Sequence, residues 1–182
     1  MSRLPRVSRE ELSSEEKEIW DGIAAVRRSV DGPFGILIHA PGLAKRVAAL
    51  EDYFRFEGEV TDAERELITL ATVRETGAGF GWAVHELGAQ RSGTRREAVE
   101  AVRNLGSLDD LTSRERVLVE LARSLCRTHA IPDELFVRAR EELGDQLLVE
   151  AVTLVGHYSM ISHVLNGFEV EAPPGAPSFD RA

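Results

Sequence analysis

The sequence has few cysteines and lysines, few aromatic residues, and less positive than negative charge. Its single cysteine, Cys126, excludes an intramolecular disulfide, a paired-cysteine redox motif and a zinc site built from several cysteines. The 22 basic residues do not balance the 31 acidic ones, so the formal net charge is −9. This charge argues against nucleic acid as a partner, because binding a phosphate backbone requires a basic surface. It argues equally against an anionic membrane surface.

Long apolar runs are also missing. No stretch approaches the roughly 18 apolar residues of a membrane span, and the N-terminal segment has no apolar core of signal-peptide length. We therefore expect a cytoplasmic protein with no membrane partner. The length predicts one domain over 1–182, with an N-terminal arm at 1–12 and an extended, proline-containing tail at 169–182.

Helix-start signals dominate what the sequence does contain. Several serines and threonines are followed three residues later by a glutamate, which is the capping-box pattern that satisfies free backbone amides at a helix start. These pairs are Ser13–Glu16, Thr61–Glu64, Thr94–Glu97 and Thr112–Glu115. Pro41 and Pro132 lie where a first-turn proline begins a helix.

Together, these signals predict a chain made of helices. The predicted helices lie at about 14–28, 42–56, 62–75, 79–91, 95–104, 113–129, 132–143 and 145–167. No segment shows the alternation of apolar and polar residues that is typical of a half-buried strand. The predicted fold class is all-α.

Two of these helices begin alike. Residues 61–71 and 112–122 are identical at six of eleven positions, which indicates either a duplicated unit or two separately well-capped helices. Where the second copy has Val117, a residue suited to a packed face, the first has Glu66. A carboxylate in an apolar position needs a partner or a raised pKa.

The next helix has small residues around a histidine. On the helical face of His85 lie Ala78, Gly81, Trp82, Gly88 and Ala89. Glycine disfavours a helix interior by about 1 kcal/mol, so these glycines need a reason. Two reasons remain open: close packing of a second helix, or space beside the imidazole for a ligand.

The spacing of four residues resembles a known family. Glu66, Ala78, Gly81 and His85 are spaced like the glutamate, the two cysteines and the histidine of the alkylhydroperoxidase D and carboxymuconolactone decarboxylase superfamily. Because both cysteines are replaced, the sequence looks like the cysteine-free, decarboxylase-like branch, over about residues 10–175. The resemblance implies a helical subunit with a possible internal duplication, which assembles into trimers or hexamers around a pocket between helices.

The resemblance also implies a chemistry. Family decarboxylases act on a lactone acid with no metal or organic cofactor, so we expect neither here. His85 would transfer a proton, since imidazole titrates near neutrality, and Glu66 would fix its tautomer or relay a proton. Trp82 would wall the site and lower its dielectric. Arg74 would bind the carboxylate of a small-molecule substrate.

Two residues on the last helix are further candidates for contact with the substrate. His157 and Tyr158 interrupt an otherwise apolar stretch, where they either line the same cavity or form buried, hydrogen-bonded structure. A metal site is not expected, because no histidine is followed by another at the spacing of a zinc helix.

Other functions are possible on the same fold. Thiol peroxidase activity is not expected without sulfur at 78 or 81, and Cys126 lies elsewhere with no second cysteine to resolve it. A non-catalytic ligand-binding or scaffold protein is the main alternative. The state of Glu66 discriminates between these hypotheses: a catalytic carboxylate opens onto a cavity beside His85, whereas a structural one is enclosed by Arg65 or Arg74.

Overall fold

The computed structural model describes residues 2–180 of the 182-residue chain, and within this range it contains helices but no strands. The all-α prediction is confirmed. One 3-10 helix, Arg9–Glu11, precedes the α-helices, which are α1 Ser14–Arg27, α2 Pro33–Leu37, α3 Pro41–Phe56, α4 Asp62–Glu75, α5 Gly79–Ser92, α6 Arg96–Arg103, α7 Ser113–Thr128 and α8 Asp133–Gly167.

Three of the predicted capping boxes begin helices. Ser13, Thr61 and Thr112 each accept a hydrogen bond from the backbone of the glutamate three residues on, and that glutamate's side chain accepts from the backbone of the cap. Because a capping box is a local interaction, the sequence alone places the starts of α1, α4 and α7 correctly.

Two local predictions are wrong, and one short helix was not predicted. Arg95, not Thr94, is the cap of α6, and the Thr94 hydroxyl instead donates to the carbonyl of Ala63 at 3.2 Å. Pro132 is the cap of α8 rather than its first helical residue. The short helix α2, which begins at Pro33, was not predicted, because five residues are too few to show a helical period.

Helix α4 lies at the centre of the fold. Its residues from Arg65 to Arg74 are all buried, and it packs against α5, α6, α7 and α8. Its buried side chains include charged and hydroxyl groups as well as apolar ones, so the helix is enclosed by its neighbours on all sides. The site residues carried by α4 are therefore held by the core itself.

A buried glutamate of α8 fixes the segment that leads into α4. The Glu150 carboxylate accepts from the backbone amides of Glu59 and Val60 at 2.8 and 3.2 Å, and from the Tyr53 hydroxyl at 2.8 Å. Hydrogen bonds to a charged acceptor are stronger than neutral ones, so this carboxylate holds the residues before α4 against α8.

Helix α8 is two helical segments joined at a break. Gly144 has φ 74° and ψ 173°, a backbone conformation open mainly to glycine, so the separate helices predicted at 132–143 and 145–167 correspond to the two arms. By length and composition α8 is apolar enough to cross a membrane, but 56% of its most apolar stretch is buried inside the protein. It is a core helix of this fold.

Candidate functional site

Glu66 of α4 and His85 of α5 meet in the folded chain. Nδ1 of His85 lies 2.8 Å from Oε2 of Glu66, and Nη2 of Arg65 lies 3.3 Å from Oε1 of the same carboxylate. Both side chains of the pair are largely buried, with 7% of Glu66 and 12% of His85 exposed. The carboxylate thus has both partners that the sequence analysis considered, a histidine and an arginine.

The ionisation of Glu66 determines the state of the imidazole. Burial raises the pKa of Glu66, but the hydrogen bond and charge of His85, together with Arg65, outweigh burial and hold the pKa below its ordinary value. An ionised carboxylate only accepts hydrogen bonds, so Nδ1 of His85 carries the proton and donates a hydrogen bond to Glu66. Nε2 is left as the ring nitrogen that exchanges protons with a ligand.

This shift predicts how stability depends on pH. A carboxyl group whose pKa is lowered by folding stabilises the protein at pH values above its pKa in the unfolded chain, which is near 4.5. That stabilisation is lost as the pH falls through the lower pKa of the folded protein. We expect the free energy of unfolding to fall on acidification below about pH 5, and to fall less steeply in Glu66→Gln. Urea unfolding of both proteins between pH 3 and about pH 7 measures this; parallel curves would contradict it.

A cavity of about 590 Å³ opens beside the pair. Helices α1, α2, α3, α4, α5 and α8 contribute its walls, and Glu66, His85, Gly88 and Tyr158 all line it. The ring of Tyr158 meets the His85 ring edge to face, with centroids 4.9 Å apart. Burial, with the Glu51 charge adding to it, raises the pKa of Tyr158 far above its usual range, so its hydroxyl stays protonated.

The cavity wall also carries arginines that the sequence analysis did not single out. Nε and Nη2 of Arg55 lie 3.0 and 2.6 Å from Oε1 of Glu51, while Nη1 has no hydrogen-bond partner within residues 2–180. Arg27 stacks on Phe34 with its guanidinium carbon 4.5 Å from the ring centre. Its Nε and Nη1 are buried without a partner among the described residues.

The arginines of this wall are paired with carboxylates. Glu51 is the acidic partner of both Arg55 and Arg27, with Nη2 of Arg27 3.6 Å from Oε2. Burial raises the pKa of Glu51, but the two arginines outweigh burial and keep it low. Asp52 is a second acidic partner of Arg27, with Oδ1 2.8 Å from Nη2, so the two guanidinium groups of this wall face two carboxylates.

Two predicted site residues lie elsewhere. Trp82 is fully buried on another side of α5, where its indole nitrogen donates to Glu86 at 2.6 Å and its ring meets Phe179 of the tail. Arg74 donates from Nε to the carbonyl of Arg103 at 2.8 Å and stacks on Phe179. Neither lines the cavity beside His85, so neither the wall role of Trp82 nor the clamp role of Arg74 fits this site.

His157 lies behind the site rather than in it. It is buried, it packs against Tyr158 and Phe54 with centroids 5.1 and 6.1 Å away, and it does not line the cavity. Burial lowers the pKa of His157, which favours the neutral ring. Cys126 is partly buried on α7, 3.9 Å from the Ser159 hydroxyl, and burial raises the pKa of its thiol. It therefore has little thiolate character.

Within residues 2–180, no group of three or more histidine, cysteine, aspartate or glutamate side chains is arranged to hold a metal ion. A second cavity, of about 810 Å³, lies at the start of α5. The C-terminal tail borders it through Phe179, and acidic residues such as Glu75 and Glu169 line it. Glu66 and His85 are not among its lining residues, so the chemistry of the pair belongs to the first cavity.

Part of the chain matches a known protein family. The model of the carboxymuconolactone decarboxylase family matches residues 41–124, which include α4 and α5. No curated protein matches the chain in sequence.

Several solved structures share the fold. One is an alkylhydroperoxidase AhpD core, an uncharacterised peroxidase-related protein from Ralstonia eutropha JMP134, with TM-score 0.80 and 19% identity over 95% of this chain and 93% of that one. Another is an uncharacterised peroxidase-related protein from Silicibacter sp. TM1040, with TM-score 0.73 and 14% identity over 96% and 92%. A protein of unknown function from Agrobacterium tumefaciens has TM-score 0.69 and 21% identity over 75% and 94%. At these identities the likeness concerns the fold.

Proposed function

We propose that the chain, whose residues 41–124 match the carboxymuconolactone decarboxylase family, is a cofactor-independent enzyme using acid–base chemistry on a small acidic or lactone-type compound. The observation that carries the proposal is the 2.8 Å hydrogen bond between His85 and Glu66 beside a cavity large enough for such a compound. Glu66 and His85 are the proposed catalytic residues.

In the proposed reaction, the bond between the substrate carbon and its carboxylate breaks and carbon dioxide leaves. The electron pair of that bond passes into the lactone carbonyl as an enolate. Nε2 of protonated His85 then delivers a proton to the carbon, and the imidazole takes up a proton from solvent for the next cycle. Glu66 holds the ring in place through Nδ1 and stabilises its positive charge.

Substrate binding is assigned to the residues that line the same cavity. Arg55 replaces Arg74 as the proposed carboxylate-binding residue, because it lines the cavity and its Nη1 has no hydrogen-bond partner among the described residues. The guanidinium of Arg27 also lines the cavity, but it is already paired with Glu51 and Asp52. Tyr158, whose hydroxyl stays protonated, is the proposed hydrogen-bond donor to a substrate oxygen.

The proposal is tested by measuring carbon dioxide release from a panel of lactone acids, with EDTA present and no cofactor added. The His85→Ala variant serves as the matched control, since it keeps the cavity and lacks the proposed proton donor. Release from at least one acid by the wild-type protein, and far slower release by the variant, is the expected result. Binding of the acids without release would favour the alternative, a non-catalytic ligand-binding or scaffold protein of the same fold.

We also propose that copies of the chain associate, as a trimer or a hexamer. Support comes from the apolar side chains of Val84 and Leu87, which are 44% and 45% exposed on α5, with Val84 at the edge of the cavity. A second copy that covers these residues would also enclose the site. Sedimentation velocity at micromolar concentration tests this, and a purely monomeric species would contradict it.

A further inference from the structure

The backbone of α5 passes very close to the Glu66 carboxylate at one residue, Gly88. A Cβ atom at position 88 would lie 2.6 Å from Oε2 of Glu66, 2.8 Å from Cδ and 3.0 Å from Oε1. Separations under 3.0 Å force one of the two groups to move. Oε2 is also the atom bonded to Nδ1 of His85, one turn earlier on the same helix.

We propose that Gly88 is a positioning residue, whose missing side chain lets Glu66 reach His85. The residue itself touches no reacting atom. Because position 88 has no side chain, the Glu66 carboxylate occupies the space beside it. From there the carboxylate is bonded to His85 on one side and to Arg65 on the other. Any side chain at 88 would displace the carboxylate, which then leaves Nδ1 of His85 without its acceptor.

The nature of the contact predicts a local effect. The atoms in the way are the end of a flexible side chain rather than backbone, so the chain can keep its fold while the carboxylate moves. Gly81, two turns earlier on α5, provides the contrast. A Cβ there would lie 2.9 Å from Cγ1 of Val73, which is a core contact and does not involve Glu66.

The test compares three glycine-to-alanine variants. Gly156 lies on the exposed side of α8, and a Cβ atom at this position would have no neighbouring atom within 4 Å. Gly156→Ala should therefore raise the Tm by about 2–4 °C through helix propensity alone. Gly88→Ala should not show that rise, and should lose the downfield Nδ1 proton signal of His85 in NMR spectra. Gly81→Ala should lower the Tm and keep the signal.

A second background separates a positioning role from a general packing role. In Glu66→Ala the obstructing carboxylate is gone, so adding Gly88→Ala should raise the Tm by the same amount as Gly156→Ala does in the wild type. If Gly88→Ala alone fails to fold, recovery of folding in the double variant supports the proposal, and failure of the double variant as well overturns it.

The proposal is overturned if Gly88→Ala keeps the His85 Nδ1 signal and raises the Tm as Gly156→Ala does. It rests on the Glu66–His85 pair of the proposed function, but neither readout requires turnover. A missing enzymatic activity together with the expected NMR and Tm results would contradict the proposed reaction and leave the positioning role of Gly88 intact.

Discussion

Replacing His85 with alanine is expected to lower kcat for the decarboxylated acid by about 10³-fold, because the proton donor is removed while the cavity remains. The fold should survive, since Glu66 keeps Arg65 as a partner at 3.3 Å. Glu66→Gln should cost less than His85→Ala, because glutamine keeps the shape of the side chain and its oxygen can still accept from Nδ1.

The measurement is steady-state carbon dioxide release, with circular dichroism to establish that each variant is folded. His163→Ala is the matched control, because His163 is exposed on α8, away from the cavity. Wild-type kcat in the control and a loss of about three orders of magnitude in His85→Ala is the expected pair of results. Activity of His85→Ala within a few-fold of the wild type would remove His85 from the mechanism.

The second large effect is expected at Arg55. Replacing it with glutamine removes the guanidinium that lines the cavity and should raise KM for an acidic substrate by about 10- to 100-fold, the range of a charge-assisted hydrogen bond. The effect on kcat should be smaller, because the group binds substrate and takes no part in proton transfer. Arg55→Lys should recover part of the binding, since lysine keeps the positive charge but lacks the paired planar N–H donors of the guanidinium.

Arg91 is a suitable control for this experiment. It also lines the cavity, but its Nε donates to the carbonyl of Leu87 on its own helix, and its side chain is exposed. Arg91→Gln should therefore change KM little, as exposed charges contribute weakly. Equal changes in KM for Arg55→Gln and Arg91→Gln would show that the cavity senses overall charge and has no dedicated carboxylate-binding residue.

The parts of the fold that the sequence predicts are those set by nearby residues. Capping boxes place three helix starts, and the asymmetry between Glu66 and Val117 identifies a buried carboxylate, since both positions are buried on packed helices. The pairing of Glu66 with His85 was expected from the family spacing, and the structure brings the two side chains together. These inferences need only local capping patterns, an internal comparison and the spacing shared with the family.

The parts that the sequence analysis misplaced depend on contacts between distant segments. Trp82 shares a helical face with His85 by spacing, but the tail residue Phe179 and the Glu86 carboxylate hold its ring on the other side of the helix. Arg74 is likewise held by Phe179 and the Arg103 carbonyl. The position of a tail over a helix is not visible in local patterns.

Arg55 was missed for a related reason. It lies four residues after Glu51 on α3, a spacing that looks like an ordinary surface ion pair. Only packing against the other cavity walls shows that this partly buried pair lines the same cavity as Glu66 and Tyr158. A charged pair at helical spacing in an otherwise apolar face is the signal that could have identified it.

The central claim is that His85 delivers a proton to the substrate carbon from one side of the cavity, and decarboxylation in D2O tests it most directly. The account predicts a product with one deuterium at the carbon that lost carbon dioxide, placed on a single face, as NMR would show. His85→Ala should lose this facial selectivity along with its rate. A product from the wild-type protein with deuterium distributed equally over both faces would contradict the account, because solvent rather than His85 would then supply the proton.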